Sequence, residues 1–172
     1  MKLFQKPLFK LVLSLTIFTI VVALGSSIAV DALKPGTEQP VPFSHHVHAT
    51  TKKISCFFCH PYSGKSSNPG MPPVAKCMLC HKNIASEFPP IAKLRGYYER
   101  KEGVPWVKVT QLPDFVHFSH QCHISHGIDC GRCHGDVKSM DRVKLVHQLD
   151  MRFCIECHKE KQVSTDCYIC HY

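Results

Sequence analysis

Hydrophobic positions divide the chain into one long apolar run and a remainder with little periodicity. The run follows MKLFQKPLFK, with Lys2, Lys6 and Lys10, and occupies residues 11–30, LVLSLTIFTIVVALGSSIAV, before Asp31. Twenty residues in a helix extend about 30 Å, the thickness of a bilayer's hydrocarbon core. Lysines before the run and none within it predict an inside N-terminus and an outside C-terminus. The pattern therefore predicts a basic cytoplasmic segment at 1–10, a transmembrane anchor at 11–30 and a polar, proline-containing tether at 31–41. Signal peptides have shorter apolar regions, of about 7–15 residues, ahead of a small-x-small site. Ser27-Ile28-Ala29 fits such a site, so a cleaved signal is the alternative reading. From residue 42 on, helical spacing is visible mainly in 141–158, where Val143, Val146, Leu149, Phe153 and Cys157 recur. The longest helix of this region is expected there. Twelve prolines and nine glycines predict short helices and loops with very little sheet.

The cysteines change this picture. Ten of the eleven fall in five copies of Cys-x-x-Cys-His: Cys56/Cys59/His60, Cys77/Cys80/His81, Cys130/Cys133/His134, Cys154/Cys157/His158 and Cys167/Cys170/His171. They are numbered motifs 1 to 5 in chain order. This is the attachment sequence for c-type haem. Two cysteines one helical turn apart form thioethers to the vinyl groups, and the adjacent histidine reaches the iron. Zinc sites use Cys-x-x-Cys pairs without requiring a histidine directly after each. With 13 histidines in 172 residues, five chance placements have odds of about a few in a million. A thioredoxin-like redox motif occurs once, beside a βαβ pattern. The fold class expected is thus a multihaem cytochrome c, with short helices and loops wrapped around five haems, plus one N-terminal transmembrane helix. About 26 residues per haem over 42–172 are too few for a conventional core, so the porphyrins must supply much of the apolar interior.

Charge is reinterpreted accordingly. The polypeptide carries a formal +8, which alone suggests an acidic partner or anionic lipid. Five haems, each with two propionates, contribute about −5 oxidised and about −10 reduced, leaving roughly +3 to −2. Nucleic-acid binding loses its only support. The lysines balance propionates and steer a redox partner.

An internal repeat accompanies the motifs. Phe43-Ser-His45-His-Val-His48 precedes Cys56, and Phe118-Ser-His120-Gln-Cys-His123 precedes Cys130. Each reads F-S-H-x-x-H, then seven or six residues, then a haem motif. The repeat implies two related halves, about 42–81 with two motifs and 117–172 with three. The five motif histidines are proximal ligands, and a second imidazole or thioether makes each haem low-spin. The repeat nominates His45, His48, His120 and His123 as distal ligands, each pair serving two haems. For the fifth distal position Met140 and Met151 lead, ahead of His147, His126 and His117. Cys122 is read as a buried free thiol; single-thioether attachment of a sixth haem is the sharper alternative.

FSHHVHA, CFFCH, NPGMPPVAKCMLCHK, GVPWVKVTQLPDFVHFSHQCH, GIDCGRCHGDVKSMDRV and MRFCIECHK together resemble one group. These are the membrane-anchored pentahaem cytochrome subunits of alternative complex III and the related periplasmic-facing menaquinone reductase complexes. More distantly, the pattern resembles class III, cytochrome c3-like proteins. The segment around Trp106 and Leu112-Pro113-Asp114-Phe115 lies outside the haem motifs, so general multihaem similarity does not account for it. The resemblance implies an electron-transfer subunit, not itself an enzyme, and matches His45, His48, His120 and His123 to the family's distal histidines. It implies partners in the inner membrane: a polytopic quinone-binding subunit, iron–sulfur and molybdopterin-type subunits, and a periplasmic cytochrome as donor or acceptor. The haem domain would face the periplasm. Arg152 and His147 depart from the expected pattern near motif 4. Competing readings are a self-sufficient anchored quinol dehydrogenase, a soluble c3-like shuttle and a multihaem reductase. The last needs an open distal position, which thirteen histidines against ten axial positions do not require.

Overall fold

The computed structural model describes the backbone of residues 5–33 and 36–172 and the side chains of 9–24 and 36–172. Residues 1–4, the tether positions 34–35 and the Ser27-Ile28-Ala29 side chains therefore lie outside the described residues. Contacts divide the chain into two units, Met1–Pro35 and Gly36–Tyr172.

The first unit is a single helix, α1 (Gln5–Leu33). Its Leu, Ile, Val and Phe side chains are exposed at nearly every position, Leu11, Val12, Leu13, Leu15, Phe18 and Val21 among them. They cover the whole circumference instead of one stripe. The polar side chains are folded back: Ser14, Thr16 and Thr19 each donate a hydroxyl to the carbonyl three residues earlier, at 2.8–2.9 Å. Among the described residues no helix is long and apolar enough to cross a membrane. Within α1 the described side chains, 9–24, cover about 24 Å.

The second unit is helix and loop, with no strand among the described residues. Its α-helices are α2 (Cys56–Cys59), α3 (Val74–His81), α4 (Pro89–Glu99), α5 (His120–Ser125), α6 (Gly131–His134) and α7 (Met151–Glu160). A π-helical turn spans His46–Thr51, and 3-10 turns span Val137–Ser139 and Cys167–Ile169. Helices this short are not stable alone; caps and packing hold them. The Asp150 carboxylate accepts the Phe153 N–H at 2.8 Å and starts α7. Pro89 and Pro90 start α4, where a missing N–H costs nothing.

Polypeptide packing is concentrated in one place. Val41, Val74, Met78, Ile91, Leu94 and Val104 are the buried hydrophobics, with Cys77, Tyr97 and Trp106 against them. α3 and α4 meet there, beside motif 2. The segment after α4 is clamped to the start of the unit, because the Gln39 amide bonds both the carbonyl and the N–H of Val107, at 3.0 and 2.9 Å. Motifs 1, 3, 4 and 5 have no such core beside them among the described residues.

One expectation is corrected. The periodic stretch 141–158 is helical only from Met151, and α4, with 11 residues, is the longest helix of this unit. Residues 142–146 have other partners. The Val143 carbonyl accepts Thr37 N–H at 2.9 Å, and a Cβ on Gly36 would collide with the Arg142 carbonyl oxygen. Val146 packs on Gly135, whose φ of +71° strains any other residue and where an added Cβ would come within 2.7 Å of the Val146 side chain.

Candidate haem-binding sites

Four of the five motifs lie on short helices and the fifth on a 3-10 turn. That geometry presents both thiols and the following imidazole from one turn of chain. None of the eleven cysteines is paired in a disulfide. In motifs 2, 3 and 5 the two thiols are not equally placed. Cys80, Cys130 and Cys167 are exposed, whereas their motif partners Cys77, Cys133 and Cys170 are half-buried. Motif 2 shows the cause. Cys77 packs on the core between Val74 and Met78, and Cys80, two residues beyond Met78, lies roughly 200° around α3 from it and faces away from that core. The expected attachment pair Cys77/Cys80 is therefore split between a packed and an open position. Burial pushes the thiols of Cys59, Cys77, Cys133 and Cys154 above their ordinary range. That is the opposite of an activated nucleophile. Among the described residues no group of three His, Cys, Asp or Glu side chains is placed to hold a metal ion, so the described cysteines do not form zinc-type clusters.

The two F-S-H-x-x-H segments fold alike around their phenylalanine. Phe43 stacks on His48 at 4.4 Å and meets His45 edge-on at 4.8 Å. Phe118 stacks on His123 at 4.4 Å and meets His120 edge-on at 4.8 Å. The serine fixes the second imidazole: His48 Nδ1 bonds the Ser44 carbonyl and His123 Nδ1 the Ser119 carbonyl, both at 2.8 Å. Ser44 and Ser119 hydroxyls also accept N–H groups of Val47 and Cys122, at 3.0 and 3.3 Å. The first copy has one extra residue before its motif and winds as a π-turn, which absorbs an insertion. The second winds as α5. These roles for Phe and Ser were not assigned from sequence, although the repeat contained them.

The segments deliver imidazoles to two successive motifs. His48 faces His81 of motif 2 with ring centres 6.1 Å apart. His123 likewise faces His158 of motif 4 at 6.1 Å. His120 lies parallel to His134 of motif 3 at 6.3 Å, with 3° between planes. His45 is coupled electrostatically to His60 of motif 1. An iron bound by two imidazoles through bonds of about 2 Å holds their ring centres roughly 6 Å apart. The three measured spacings fit that group.

Tautomers agree with the spacing. His60, His81, His158 and His171 bond backbone carbonyls of Gly70, Ile84, Ser164 and Phe115 through Nδ1, at 3.3, 3.0, 2.8 and 3.0 Å. His120 Nδ1 bonds the Ser67 carbonyl at 3.0 Å. A carbonyl only accepts, so Nδ1 carries the proton and Nε2 keeps its lone pair for a metal. His45 differs, since its Nδ1 is buried without a partner. Burial first, then the charges of His60 and His48, pull its pKa down to about 4. Burial, then His120 and His60, also lower His134. Both imidazoles are thereby held neutral near pH 7, the form that binds iron.

Motif 5 stands outside this pattern. The ring against His171 is Phe115, at 5.8 Å and 27°. The remaining candidates are distributed elsewhere: His117 stacks on Tyr172 at 4.4 Å, and His147 on Phe153 at 5.4 Å. His126 Nδ1 bonds the Cys122 carbonyl at 2.8 Å. The Met140 carbonyl accepts His46 N–H at 3.1 Å, placing Met140 beside the first repeat segment. Met151 is 72% exposed at the start of α7. No described contact joins any of these side chains to His171. Cys122 is exposed on α5, not buried as expected, and Arg152 pairs with Glu156 at 2.7 Å along α7. A cavity of about 420 Å³ opens between motifs 3 and 4, lined by Gly131, Arg132, His147, Phe153 and Cys157.

No family model matches the chain. It is similar to the multihaem cytochrome c subunit of a menaquinone reductase from Nitratidesulfovibrio vulgaris Hildenborough. The two are 28% identical over 161 residues, covering 78% of this chain and 77% of the relative. A helix-and-loop chain with eleven cysteines is consistent with a small multihaem cytochrome.

Proposed function

We propose that the chain is an electron-transfer subunit that carries five c-type haems within a membrane quinone oxidoreductase complex. The carrying observation is the duplicated Phe-Ser-His-x-x-His fold, which sets imidazoles about 6 Å from motif histidines. Haem c supplies one-electron chemistry at its iron without loss of the group from the protein. Ten cysteines hold it covalently, and His60, His81, His134, His158 and His171 bind iron from the proximal side. His45, His48, His120 and His123 occupy four distal positions. Met140 and Met151 are the residues assigned to the fifth, to be tested by ligand substitution. With two protein side chains on its iron, each haem would supply electron transfer and leave bond chemistry to partner subunits.

The relative's name, a subunit of a menaquinone reductase, supports placement beside a polytopic quinone-binding subunit and iron–sulfur or molybdopterin-type subunits. A periplasmic cytochrome serves as the outer donor or acceptor. Residues 11–30 of α1 anchor the chain in the inner membrane with the haem domain, 42–172, on the periplasmic side. Mass spectrometry of the native protein tests the cofactor load, with five covalent haems expected; fewer would overturn it. Purification through a C-terminal tag tests the complex. Recovery with polytopic and iron–sulfur subunits is expected. Recovery alone, with rapid reduction by menaquinol, would instead make the chain a self-sufficient quinol dehydrogenase.

A further inference from the structure

The contacts between motifs are not all-to-all. Motif 1 meets motif 2 where Lys76, next to Cys77, sits 4.8 Å over the Phe58 ring inside motif 1. It meets the second half where His120 and Gln121 N–H groups bond the carbonyls of Ser67 and Ser66, at 3.2 and 3.0 Å, in the loop after His60. His120 in turn faces motif 3. Motif 3 meets motif 4 through the Arg132–Glu160 ion pair and the cavity they share. Motif 4 meets motif 5 through a folded connection: His158 bonds the Ser164 carbonyl, and Ser164 bonds Asp166, directly before Cys167.

Other contacts join the segment bearing His48 to the chain beyond motif 3: Ser44 to Asp141 at 2.5 Å, the His46 N–H to the Met140 carbonyl at 3.1 Å, and Thr50 to the Lys138 carbonyl at 2.7 Å. None of them touches a residue of an attachment motif.

We infer that the five attachment motifs form one unbranched line in the order 2–1–3–4–5, so that electrons enter and leave at motifs 2 and 5. The inference rests on the haem-binding role proposed above. Chain order is therefore not conduction order: motif 1 is interior, and the two halves join through motifs 1 and 3. Each motif's polypeptide fixes its neighbours, and motif 2 has one neighbour where motif 3 has two.

Redox titration followed by EPR tests the order on the full holoprotein without an activity readout. Replacing a distal histidine by methionine raises that haem's potential, and through-space interaction shifts the haems beside it. His48→Met, at an end, is expected to shift one further haem; His120→Met, in the middle, is expected to shift two. If His120→Met does not accumulate with five haems, His123→Met carries the same expectation of two. Secondary shifts of two or more haems with His48→Met, or of one with His120→Met or His123→Met, would overturn the line. A wild-type protein with fewer than five covalent haems would overturn the haem-binding role itself, which mass spectrometry reads separately.

Discussion

The two F-S-H-x-x-H regions share their ring geometry to within a few tenths of an ångström yet differ in the number of attachment motifs they precede. In the first, His45 and His48 are matched by two motifs. In the second, His120 and His123 precede three. His120 faces the next motif, and His48 and His123 each face the one after. The motif at 167–171 is the remainder, held by contacts of Phe115 and His117 with residues 170–172. The difference teaches that each repeat is matched to two attachment motifs and that motif 5 is packed in its own way, against Phe115.

Removing whole attachment sites breaks this comparison most strongly. Changing Cys154 and Cys157 to Ser is expected to lower the haem count by one and to remove one bis-imidazole EPR signal. Changing Cys167 and Cys170 to Ser is expected to lower the count equally and leave the bis-imidazole signals intact.

Removing one distal ligand has the next largest effect. His48→Ala and His123→Ala should each convert one haem of five from low-spin to high-spin, visible in the absorption spectrum. Equivalent conversions are expected because the two imidazoles are held alike; unequal ones would break the equivalence of the repeats.

Smaller changes test how the imidazoles are aimed. Phe118→Ala removes two ring contacts and Phe43→Ala three, since Phe43 also meets Trp106 at 6.5 Å; each contact is worth about 0.5–1.5 kcal/mol. Thermal unfolding of the holoprotein should show a loss of about 1–3 kcal/mol for Phe118→Ala and a larger one for Phe43→Ala. Ser119→Ala removes the cap of α5 and should cost about 1 kcal/mol. Ser44→Ala should cost more, since Ser44 also donates to Asp141 at 2.5 Å.

Legibility in the sequence tracked how local each feature is. Covalent attachment requires three residues within five positions, so the motifs were readable at once. So was the repeat, because Phe43 and Phe118 sit at fixed offsets from the histidines they support. The unequal exposure of Cys77 and Cys80 was not, because it depends on where α4 packs against α3. The assignment of each histidine to a motif was hidden for the same reason. His48 and His81 are far apart in the chain, and only folding brings them together. α4 went unnoticed in the interval between halves, although Phe88 before two prolines, then Ile91 and Leu94 three apart, marked its start and buried face. The stretch at 141–150 misled for the converse reason. Val143 and Val146 have helical spacing, but the first region of the unit and Gly135 hold their backbone and side chains away from a helix.

The central claim is that two copies of one fold furnish four bis-imidazole sites, and EPR with near-infrared magnetic circular dichroism of the oxidised protein measures it directly. The account predicts four bis-histidine haems out of five, with the fifth distinct. Two or fewer bis-histidine haems would contradict it.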